Sequence, residues 1–556
     1  MKRPRKAIIL AAGFGSRLSP ITDHCPKPLV PLHGKAMILH QLELLQRWGV
    51  KEVLVNVHHL AHILVQELPK ICPKGLKLNL SFEAEILGTG GGLRNMAWFF
   101  DEDPLWLCNA DVYQRLHPKP LLDAWEKQKP ISCLWMLPDQ GPRTVQVQRG
   151  KVTDFRAGGK TFSGLHLLNR RIFHYLPNRN FSSIIEAYEA ALAAGETIWG
   201  VEVPESEWAD VGTSEQLLRA QGGPVIFPGA RLAKGQKSQG LVVAPEWGLS
   251  AEEQKILPDV KAVELMSARG SDRSFRRFFF PDHSEICIRS GTARVENQRF
   301  VGHTRFLARR GIRVPGIRKS RKQGRWIQVE DLGSVHLLDR LQRGSDVRNL
   351  RDMKDVLKLV ADLHAQKVPA NLELEPSFDE KLYAWERELF AKEYVARHGQ
   401  VSELRKAPKI VFRVSEKLLD QPQVLLHRDL QSTNVMYSEK EWALIDYQGM
   451  RLGAAAYDVA SLLADPYVNR PKALQLKLLG RYNRVADAPV SRELYAAGAI
   501  QRLMQALGAY GRLGALKGNE RFLKYIPAGL EQLKLWVEEF LEGQSSGNSL
   551  RGSPDE

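Results

Sequence analysis

Two short segments near the start of the chain carry residue types that bind phosphate groups. Gly13 and Gly15 directly follow an apolar run, and glycine permits the tight backbone path that points successive N–H groups at a phosphate. Arg17 can pair with phosphate oxygens. Lys27 lies between two prolines that restrict its backbone, and it can neutralise a triphosphate. These four residues predict a nucleotide site.

Further polar and glycine-rich segments follow in the first 220 residues: Gly88-Thr89-Gly90-Gly91-Gly92, Asn109-Ala110-Asp111, Phe162-Ser163-Gly164 and Trp208-Ala209-Asp210-Val211-Gly212-Thr213. With the first two segments, they make residues 1–220 resemble the sugar-1-phosphate nucleotidyltransferase family, which has a GT-A/Rossmann-like α/β fold. The Gly-Thr-Gly-Gly-Gly, Phe-Ser-Gly and Asp-Val-Gly-Thr segments resemble two branches in particular, the mannose-1-phosphate guanylyltransferases and the N-acetylmuramate-1-phosphate uridylyltransferases.

The resemblance implies a role for each segment. Gly13, Gly15 and Arg17 hold the nucleoside triphosphate, and Lys27 stabilises charge as pyrophosphate leaves. Asp111 and Asp210 hold Mg²⁺, although a helix-capping role for Asp210 stays open. The base and sugar pockets are lined by residues from the three remaining segments, namely Gly88, Thr89, Gly90, Asn109, Ser163 and Gly164. The identity of the base stays open, because the uridylyltransferase branch has an acidic residue in place of Gly88.

A second pattern lies in the last third of the chain. His427-Arg428-Asp429 is followed by Asn434, and Asp446 comes twelve residues after the asparagine. Such spacing is typical of kinases, in which the first aspartate accepts or orients the proton of the attacking hydroxyl. Asn434 and Asp446 then hold the Mg²⁺ that bridges the phosphates of ATP. The pattern predicts a phosphoryl-transfer site with Asp429 as its catalytic residue.

Residues 261–540 resemble the aminoglycoside-phosphotransferase and choline-kinase superfamily, which has a protein-kinase-like α+β fold with two lobes. The resemblance implies a phosphate-covering hairpin around Ser271 and a hinge at 328–333 that reads adenine through its backbone. Kinases usually have a lysine on the third strand, whereas this chain offers Arg289, with Glu296 as its candidate partner. Arginine also binds phosphate but is not interchangeable with lysine. The most similar group is the anomeric N-acetylmuramate/N-acetylglucosamine kinases.

Strands and helices must position these residues. Apolar runs alternate with helical patterns up to about residue 220, which predicts a mostly parallel, helix-covered sheet with its ligands beyond the carboxyl ends of the strands. We expect four segments: a nucleotidyltransferase domain over 1–222, a linker over 223–258, a kinase domain over 259–542 and a disordered tail over 543–556. Strands are expected at 7–10, 52–57, 78–82, 105–108, 261–268, 275–280 and 285–288, and a helix at 37–48.

Composition narrows the partners. The 556 residues carry a net charge of +16, and a basic surface attracts small anionic substrates such as sugar phosphates and nucleotides. Nucleic acid is not an expected partner, because no basic stripe with interleaved aromatic residues is present.

No apolar stretch approaches the roughly 20 residues that span a bilayer. Five scattered cysteines without metal-ligand spacing favour a reducing compartment, so the expected location is cytoplasmic. The oligomeric state stays open.

The two patterns together predict a bifunctional enzyme. One half phosphorylates a sugar at its anomeric hydroxyl with ATP, and the other joins the sugar 1-phosphate to a second nucleoside triphosphate, with UTP and N-acetylmuramate or N-acetylglucosamine favoured. Mannose or a heptose with GTP, and choline with CTP, are alternatives of the same chemistry. A third alternative is that the kinase-like half is regulatory and not catalytic. The missing third-strand lysine supports this alternative, whereas the presence of Asp429, Asn434 and Asp446 argues against it.

Overall fold

A computed structural model shows two compact units. It describes residues 3–101, 104–156, 158–266, 273–291, 294–321, 324–399, 401, 404, 409–516 and 520–548. The first unit extends to Met266 and includes Phe278–His283, and the second comprises the other described residues.

A nine-stranded sheet forms the centre of the first unit. Its strands follow the spatial order Lys77–Phe82, Glu52–Val57, Lys6–Leu10, Leu105–Asn109, Thr161–Leu168, Ser132–Leu137, Ile198–Glu202, Lys151–Asp154 and Gln146–Gln148. The first four of these strands run parallel, as βα alternation requires. The four predicted strands in this part of the chain are confirmed to within one residue at each end.

Both faces of the sheet are covered. Along the first strand Ala7 and Ile9 belong to one hydrophobic cluster and Ile8 to another, because successive side chains of a strand point to opposite faces. The helix Met37–Arg47 buries Ile38 and Leu42 in the first cluster. The predicted helix over 37–48 is therefore confirmed, and it ends one residue early.

One part of the sheet is not parallel. Thr161–Leu168 runs antiparallel to both of its neighbours, Leu105–Asn109 and Ser132–Leu137. The described residues between Ser132–Leu137 and this strand include no helix, and without a helical crossover the chain returns in the opposite direction. The prediction of a mostly parallel sheet is therefore confirmed for the first four strands and wrong around Thr161–Leu168, whereas Ser132–Leu137 and Ile198–Glu202 again run parallel.

Helices and short strands complete the first unit. Val112–Arg115 pairs antiparallel with Glu207–Asp210, and this ribbon lies directly after Asp111. The segment predicted as a linker contains the strands Val225–Ile226 and Leu241–Val243, and Phe227 and Val242 are buried there. The other α-helices of this unit are Ala61–Ile71, Gly88–Asn95, Lys119–Gln128, Ile184–Ala193, Ser214–Gln221, Pro245–Gly248 and Ala251–Ile256, and Ala262–Met266 is a further strand.

The second unit begins with strands and continues with helices. The strands are Arg273–Phe279, Ser284–Ser290, Ile317–Arg321 and Trp326–Glu330, and the helix Glu296–Arg309 lies between the second and third. Two antiparallel pairs follow: Gln423–Leu426 pairs with Arg451–Ala454, and the hairpin Val435–Ser438 with Glu441–Leu444 lies between them in the chain. Its other α-helices are Leu337–Arg343, Asp346–His364, Glu380–Phe390, Ala396–His398, Ile410–Leu419, Ala455–Leu463, Lys472–Asn483, Arg492–Leu516 and Ile526–Asn548. This is the α+β arrangement expected of a kinase-like half.

A single large hydrophobic cluster stabilises the helical part of this unit. Fully buried aromatic residues such as Tyr457, Tyr495 and Trp536 belong to it. The last helix reaches Asn548, so it enters the segment predicted as a tail, of which 549–556 lie outside the described residues. None of the described helices is long and apolar enough to cross a bilayer.

Candidate active sites

The glycine loop of the first unit wraps around Lys27. Gly13 is exposed three residues after the first strand, and Gly15 has a φ of +66°, the left-handed region that favours glycine. A methyl group on Gly15 would lie 2.9 Å from Thr22 and 3.1 Å from Cβ of Lys27. Any side chain at this position would therefore push the loop away from the lysine.

Lys27 and Asp111 form the central ion pair of this site. The lysine Nζ lies 2.5 Å from Oδ2 of Asp111, and the lysine side chain is buried while the carboxylate stays one-third exposed. Asp111 follows the strand Leu105–Asn109 at its carboxyl end, where Ala110 N–H donates to the carbonyl of Leu10 at 3.0 Å. The two predicted residues thus meet where two parallel strands end.

Asp210 reaches the same place from another strand. It pairs with Val112 in the short ribbon, and the next residue, Val211, donates its N–H to the carbonyl of Asp111 at 3.2 Å. Gln216 donates to its carboxylate at 3.0 Å. A methyl group on Gly212 would lie 2.5 Å from Nη2 of Arg17 and 3.2 Å from Oδ1 of Asp210, so the arginine lies beside this carboxylate. Two neighbouring carboxylates suit Mg²⁺, which takes one or two protein ligands and keeps several waters.

A cavity of about 300 Å³ adjoins the ion pair. Six of the predicted residues line it: Gly13, Lys27, Gly88, Thr89, Asn109 and Asp111. Gly164 touches the rim through Asn109, because a methyl group on Gly164 would lie 2.8 Å from the asparagine Nδ2. The neighbouring Ser163 is buried, and its carbonyl accepts a hydrogen bond from the indole N–H of Trp208 at 3.1 Å.

The glycine-rich helix Gly88–Asn95 packs against a neighbouring loop. Gly88 has a φ of +70°, and a methyl group there would lie 2.6 Å from the carbonyl oxygen of Ser182. Gly90 donates its N–H to the same oxygen at 2.8 Å. Thr89 accepts the N–H of Ile184 at 2.9 Å through its hydroxyl. Gly90 and Thr89 thus hold this loop, and their binding roles stay predictions.

Sequence reasoning missed a buried polar pair beneath the cavity. Asn56 accepts the N–H of Ala11 at 2.6 Å and donates to Glu83 at 2.7 Å. Glu83 also accepts the N–H of Leu87 at 3.1 Å. The pair therefore ties the glycine loop to the glycine-rich helix. The available signal was an asparagine inside the apolar run Glu52–Val57 and an acid directly after the strand Lys77–Phe82.

The second site is built around a loop that Asp458 holds. This buried carboxylate accepts the N–H groups of His427 at 2.6 Å and of Arg428 at 2.9 Å. Arg428 has a φ of +79°, which costs a non-glycine residue free energy. Asn434 donates through Nδ2 to the carbonyl of Asp429 at 2.8 Å, which leaves its Oδ1 as the atom able to bind a metal.

Asp446 lies two residues after the strand Glu441–Leu444 and also has a positive φ, of +66°. Its Oδ1 accepts hydrogen bonds from Arg273 and, at 3.1 Å, from Gln448. Sequence reasoning missed Arg273, because only the fold brings it to this carboxylate. One carboxylate and one amide oxygen fit Mg²⁺ beside phosphates.

Two arginines flank Asp429. Arg428 lies 2.5 Å from Oδ2, and Arg502, from the helix Arg492–Leu516, lies 3.4 Å from Oδ1. Burial alone would raise the pKa of Asp429, but the two guanidinium charges outweigh it and lower the pKa to about 2. The carboxylate is therefore ionised at neutral pH. Arg502 was not predicted, since it lies 73 residues from the motif.

Two predicted residues of the second site are less defined. Arg289 lies on the strand Ser284–Ser290, opposite Trp326, which confirms its place on a strand and leaves its phosphate contact a prediction. Glu296 begins the following helix and accepts a hydrogen bond from Arg294 at 3.3 Å. Ser271 lies outside the described residues.

Two family models match the chain, one for each unit. The nucleotidyl transferase family matches residues 6–223, and the phosphotransferase enzyme family matches residues 266–496. An N-acetylmuramate/N-acetylglucosamine kinase of Pseudomonas putida is 30% identical over 279 residues, which are 47% of this chain and 80% of that one. The chain belongs to both families. It is a fusion of a nucleotidyl transferase with a phosphotransferase.

Relatives of the nucleotidyl transferase unit carry two kinds of name. An N-acetylmuramate alpha-1-phosphate uridylyltransferase of Caulobacter vibrioides is 30% identical over 235 residues, 39% of this chain and 96% of that one. A mannose-1-phosphate guanyltransferase of Yarrowia lipolytica is 29% identical over 228 residues, and the match spans 38% of this chain and 62% of that one. These are the two branches that the sequence motifs resemble.

Proposed function

We propose that this fusion makes a nucleotide sugar in two consecutive steps. The phosphotransferase unit transfers the γ-phosphoryl group of ATP to the anomeric hydroxyl of N-acetylmuramate or N-acetylglucosamine. The nucleotidyl transferase unit then joins the sugar 1-phosphate to UTP, giving a UDP-sugar and pyrophosphate. One observation carries the proposal: the two halves are 30% identical to a kinase and a uridylyltransferase whose names share the sugar N-acetylmuramate.

The first step moves one proton and one phosphoryl group. Asp429 accepts the proton of the anomeric hydroxyl while the sugar oxygen attacks the γ-phosphorus and ADP leaves. The carboxylate is a weak base because Arg428 and Arg502 stabilise its charge. A weak base suffices, since the ring oxygen withdraws electrons and makes an anomeric hydroxyl more acidic than an ordinary alcohol. Asn434 and Asp446 would hold Mg²⁺, which would neutralise phosphate charge when bound.

The second step needs no general base, because the sugar phosphate is already an anionic nucleophile. Its oxygen attacks the α-phosphorus of the nucleotide, and pyrophosphate leaves. Lys27 and Arg17 stabilise the charge that develops, and Asp111 with Asp210 would hold Mg²⁺, which would add to this stabilisation. The lysine is buried and bound to Asp111, so its ammonium group is positioned before the substrate arrives.

The test supplies each step separately. Purified protein with ATP, Mg²⁺ and either sugar should yield a sugar 1-phosphate by mass spectrometry, and added UTP should convert it to a UDP-sugar. A second reaction starts from N-acetylmuramate 1-phosphate with UTP, GTP or CTP. Absence of any phosphorylated sugar would overturn the kinase assignment. A preference for GTP would overturn the base assignment and favour the guanylyl branch.

A further inference from the structure

Arg273 places a guanidinium group on the predicted metal ligand of the phosphotransferase unit. It begins the strand Arg273–Phe279, and its Nη2 donates a hydrogen bond to Oδ1 of Asp446. The guanidinium lies over the ring of Phe275 at 5.5 Å, and the arginine side chain is 10% exposed. Among the described residues, no other cation forms an ion pair with Asp446. Arg273 is therefore the cation that the fold brings to this carboxylate.

The carboxylate of Asp446 has more than one use for the oxygen that Arg273 occupies. Its side chain is about one-third exposed, and the same Oδ1 also accepts a hydrogen bond from Gln448 at 3.1 Å. In kinases the aspartate at this place holds the Mg²⁺ that bridges the β- and γ-phosphates of ATP. Two cations on one carboxylate oxygen repel each other. The guanidinium therefore has to turn away when the metal binds, and the phosphates are then the anions beside it.

The lysine that usually binds phosphates in a kinase is missing from the third strand, where this chain has Arg289. Arg289 lies on the strand Ser284–Ser290 opposite Trp326, and in the described part of the chain it forms no ion pair with Asp446. Arg273 does reach that carboxylate. A guanidinium stays charged at the pH of an assay and binds a phosphate through two parallel N–H groups. Arg273 thus has the chemistry that the site needs.

We infer that Arg273 binds the β- and γ-phosphates of ATP in the phosphotransferase unit and supplies the positive charge that the missing lysine does not. This inference rests on the proposed function, which makes ATP the phosphoryl donor, and it adds a residue that contacts the transferred group. Without nucleotide the guanidinium is bound to Asp446. With nucleotide it exchanges the carboxylate for the phosphates, and the charge on the γ-phosphoryl oxygens is stabilised during transfer.

The test compares two ligands that differ only in their phosphates. ATP and adenosine are titrated, with Mg²⁺ and without sugar, into full-length wild type and Arg273→Gln. Binding is followed by amide hydrogen exchange of peptides within residues 423–454, so nucleotide bound to the other unit does not contribute. We expect the affinity for ATP to fall roughly 10- to 100-fold, the range for a hydrogen bond to a charged group. The affinity for adenosine should stay the same.

The variants separate a phosphate contact from a structural one. The amide in Arg273→Gln can still donate a hydrogen bond to Asp446, so a purely structural role would be kept, and Arg273→Met decides the test if the first variant does not fold. Arg273→Lys should restore part of the ATP affinity. Arg387→Gln is the matched control, because Arg387 is similarly buried, pairs with the half-exposed Glu380 and lies over the ring of Phe412 at 5.3 Å. It should leave both affinities unchanged.

The outcomes distinguish this inference from the proposed function. Equal losses for ATP and adenosine would make Arg273 a structural residue, and an unchanged or higher affinity for ATP would make it only a competitor of the metal for Asp446. Either result overturns the inference, as does a selective loss of ATP affinity in Arg289→Gln without one in Arg273→Gln. If wild type binds ATP but phosphorylates neither sugar, the proposed function is wrong and the affinities still decide the inference. If ATP does not protect these peptides in wild type, both are wrong.

Discussion

Asp458 holds the loop before Asp429, the predicted catalytic residue of the phosphotransferase unit, through both of its carboxylate oxygens. It is fully buried, and it accepts the N–H groups of His427 and Arg428 at 2.6 and 2.9 Å. The left-handed backbone at Arg428 costs about 1–3 kcal/mol, so the loop keeps its shape only while these hydrogen bonds oppose that cost. Asp458→Ala removes both.

The magnitude follows from the number of contacts. A hydrogen bond to a charged group contributes about 1.5–3 kcal/mol, so Asp458→Ala should lower the free energy of unfolding of the second unit by about 3–6 kcal/mol. A typical domain has only about 5–15 kcal/mol in total. Asp458→Asn keeps one acceptor oxygen and should lose about half as much.

The assay measures the activities of both units, so the transferase activity serves as an internal control for the kinase activity. Kinase and nucleotidyl transferase activities are measured separately at increasing urea concentration, with sugar 1-phosphate supplied for the second. We expect Asp458→Ala to lower the urea midpoint and the turnover of the kinase alone, because the transferase residues lie in the other unit. Asp362→Ala removes a half-exposed carboxylate of the same unit and should change unfolding by less than about 0.5 kcal/mol. If Asp458→Ala kept the kinase turnover and the urea midpoint of the wild type, the role assigned to Asp458 would be wrong.

Four further changes test the remaining assignments. Asp429→Asn should cut kinase turnover by roughly 10²–10⁴ and leave transfer from supplied sugar 1-phosphate intact, and loss of both activities would contradict separate sites. Asp111→Ala should abolish nucleotidyl transfer and spare phosphorylation of the free sugar, and persistent transfer would disprove the metal assignment. Gly88 has a φ of +70°, and a methyl group there would lie 2.6 Å from a carbonyl oxygen. Gly88→Ala should therefore lower the free energy of unfolding by about 1–3 kcal/mol and reduce transferase activity. The control Gly195→Ala has a similar φ of +85° but open space around it, and it should keep the activity. Burial lowers the pKa of His166 from 6.5 to about 3, so on acidification the unfolded chain takes up a proton before the folded chain does. The free energy of unfolding of the first unit should therefore fall by up to about 1.4 kcal/mol per pH unit between pH 6.5 and 3. If urea unfolding of His166→Phe showed the same acid sensitivity as wild type, this explanation would be wrong.

The features that could be predicted best are those determined by residues close to one another in the chain. Lys27 and Asp111 could be found because each lies next to a strand end or a proline pair, and Asp446 because an apolar strand precedes it. Arg273 and Arg502 could not, since each reaches its carboxylate only after distant elements pack. Asn56 and Glu83 could not be found for a related reason: the asparagine lies one residue before the end of an apolar strand and the glutamate directly after another strand, and only the sheet order makes them neighbours.

The predicted direction of the strands was wrong where the connection between two strands determines whether they run parallel or antiparallel. Ser132–Leu137 and Thr161–Leu168, which the sequence analysis did not predict, are both largely buried strands, and nothing in their own residues tells whether the chain crosses over or turns back between them. The short strands Gln146–Gln148 and Lys151–Asp154 between them provide the return. The bounds of the four segments along the chain stay predictions.

The strand Thr161–Leu168 also keeps two sets of predicted binding residues apart along the chain. The predicted phosphate-binding residues Gly13, Gly15, Arg17 and Lys27 all come before residue 28, whereas Ser163 and Gly164, predicted to line the sugar pocket, lie on the antiparallel strand, where Gly164 is beside Asn109. Between the two sets, residues 138–144 are exposed, whereas Val145, Val152 and Phe155 belong to the buried cluster that also contains Ile8 of the first strand. Exchanging residues 138–144 together with 161–164 among relatives is therefore expected to alter sugar recognition while the first strand and the loop after it keep their packing.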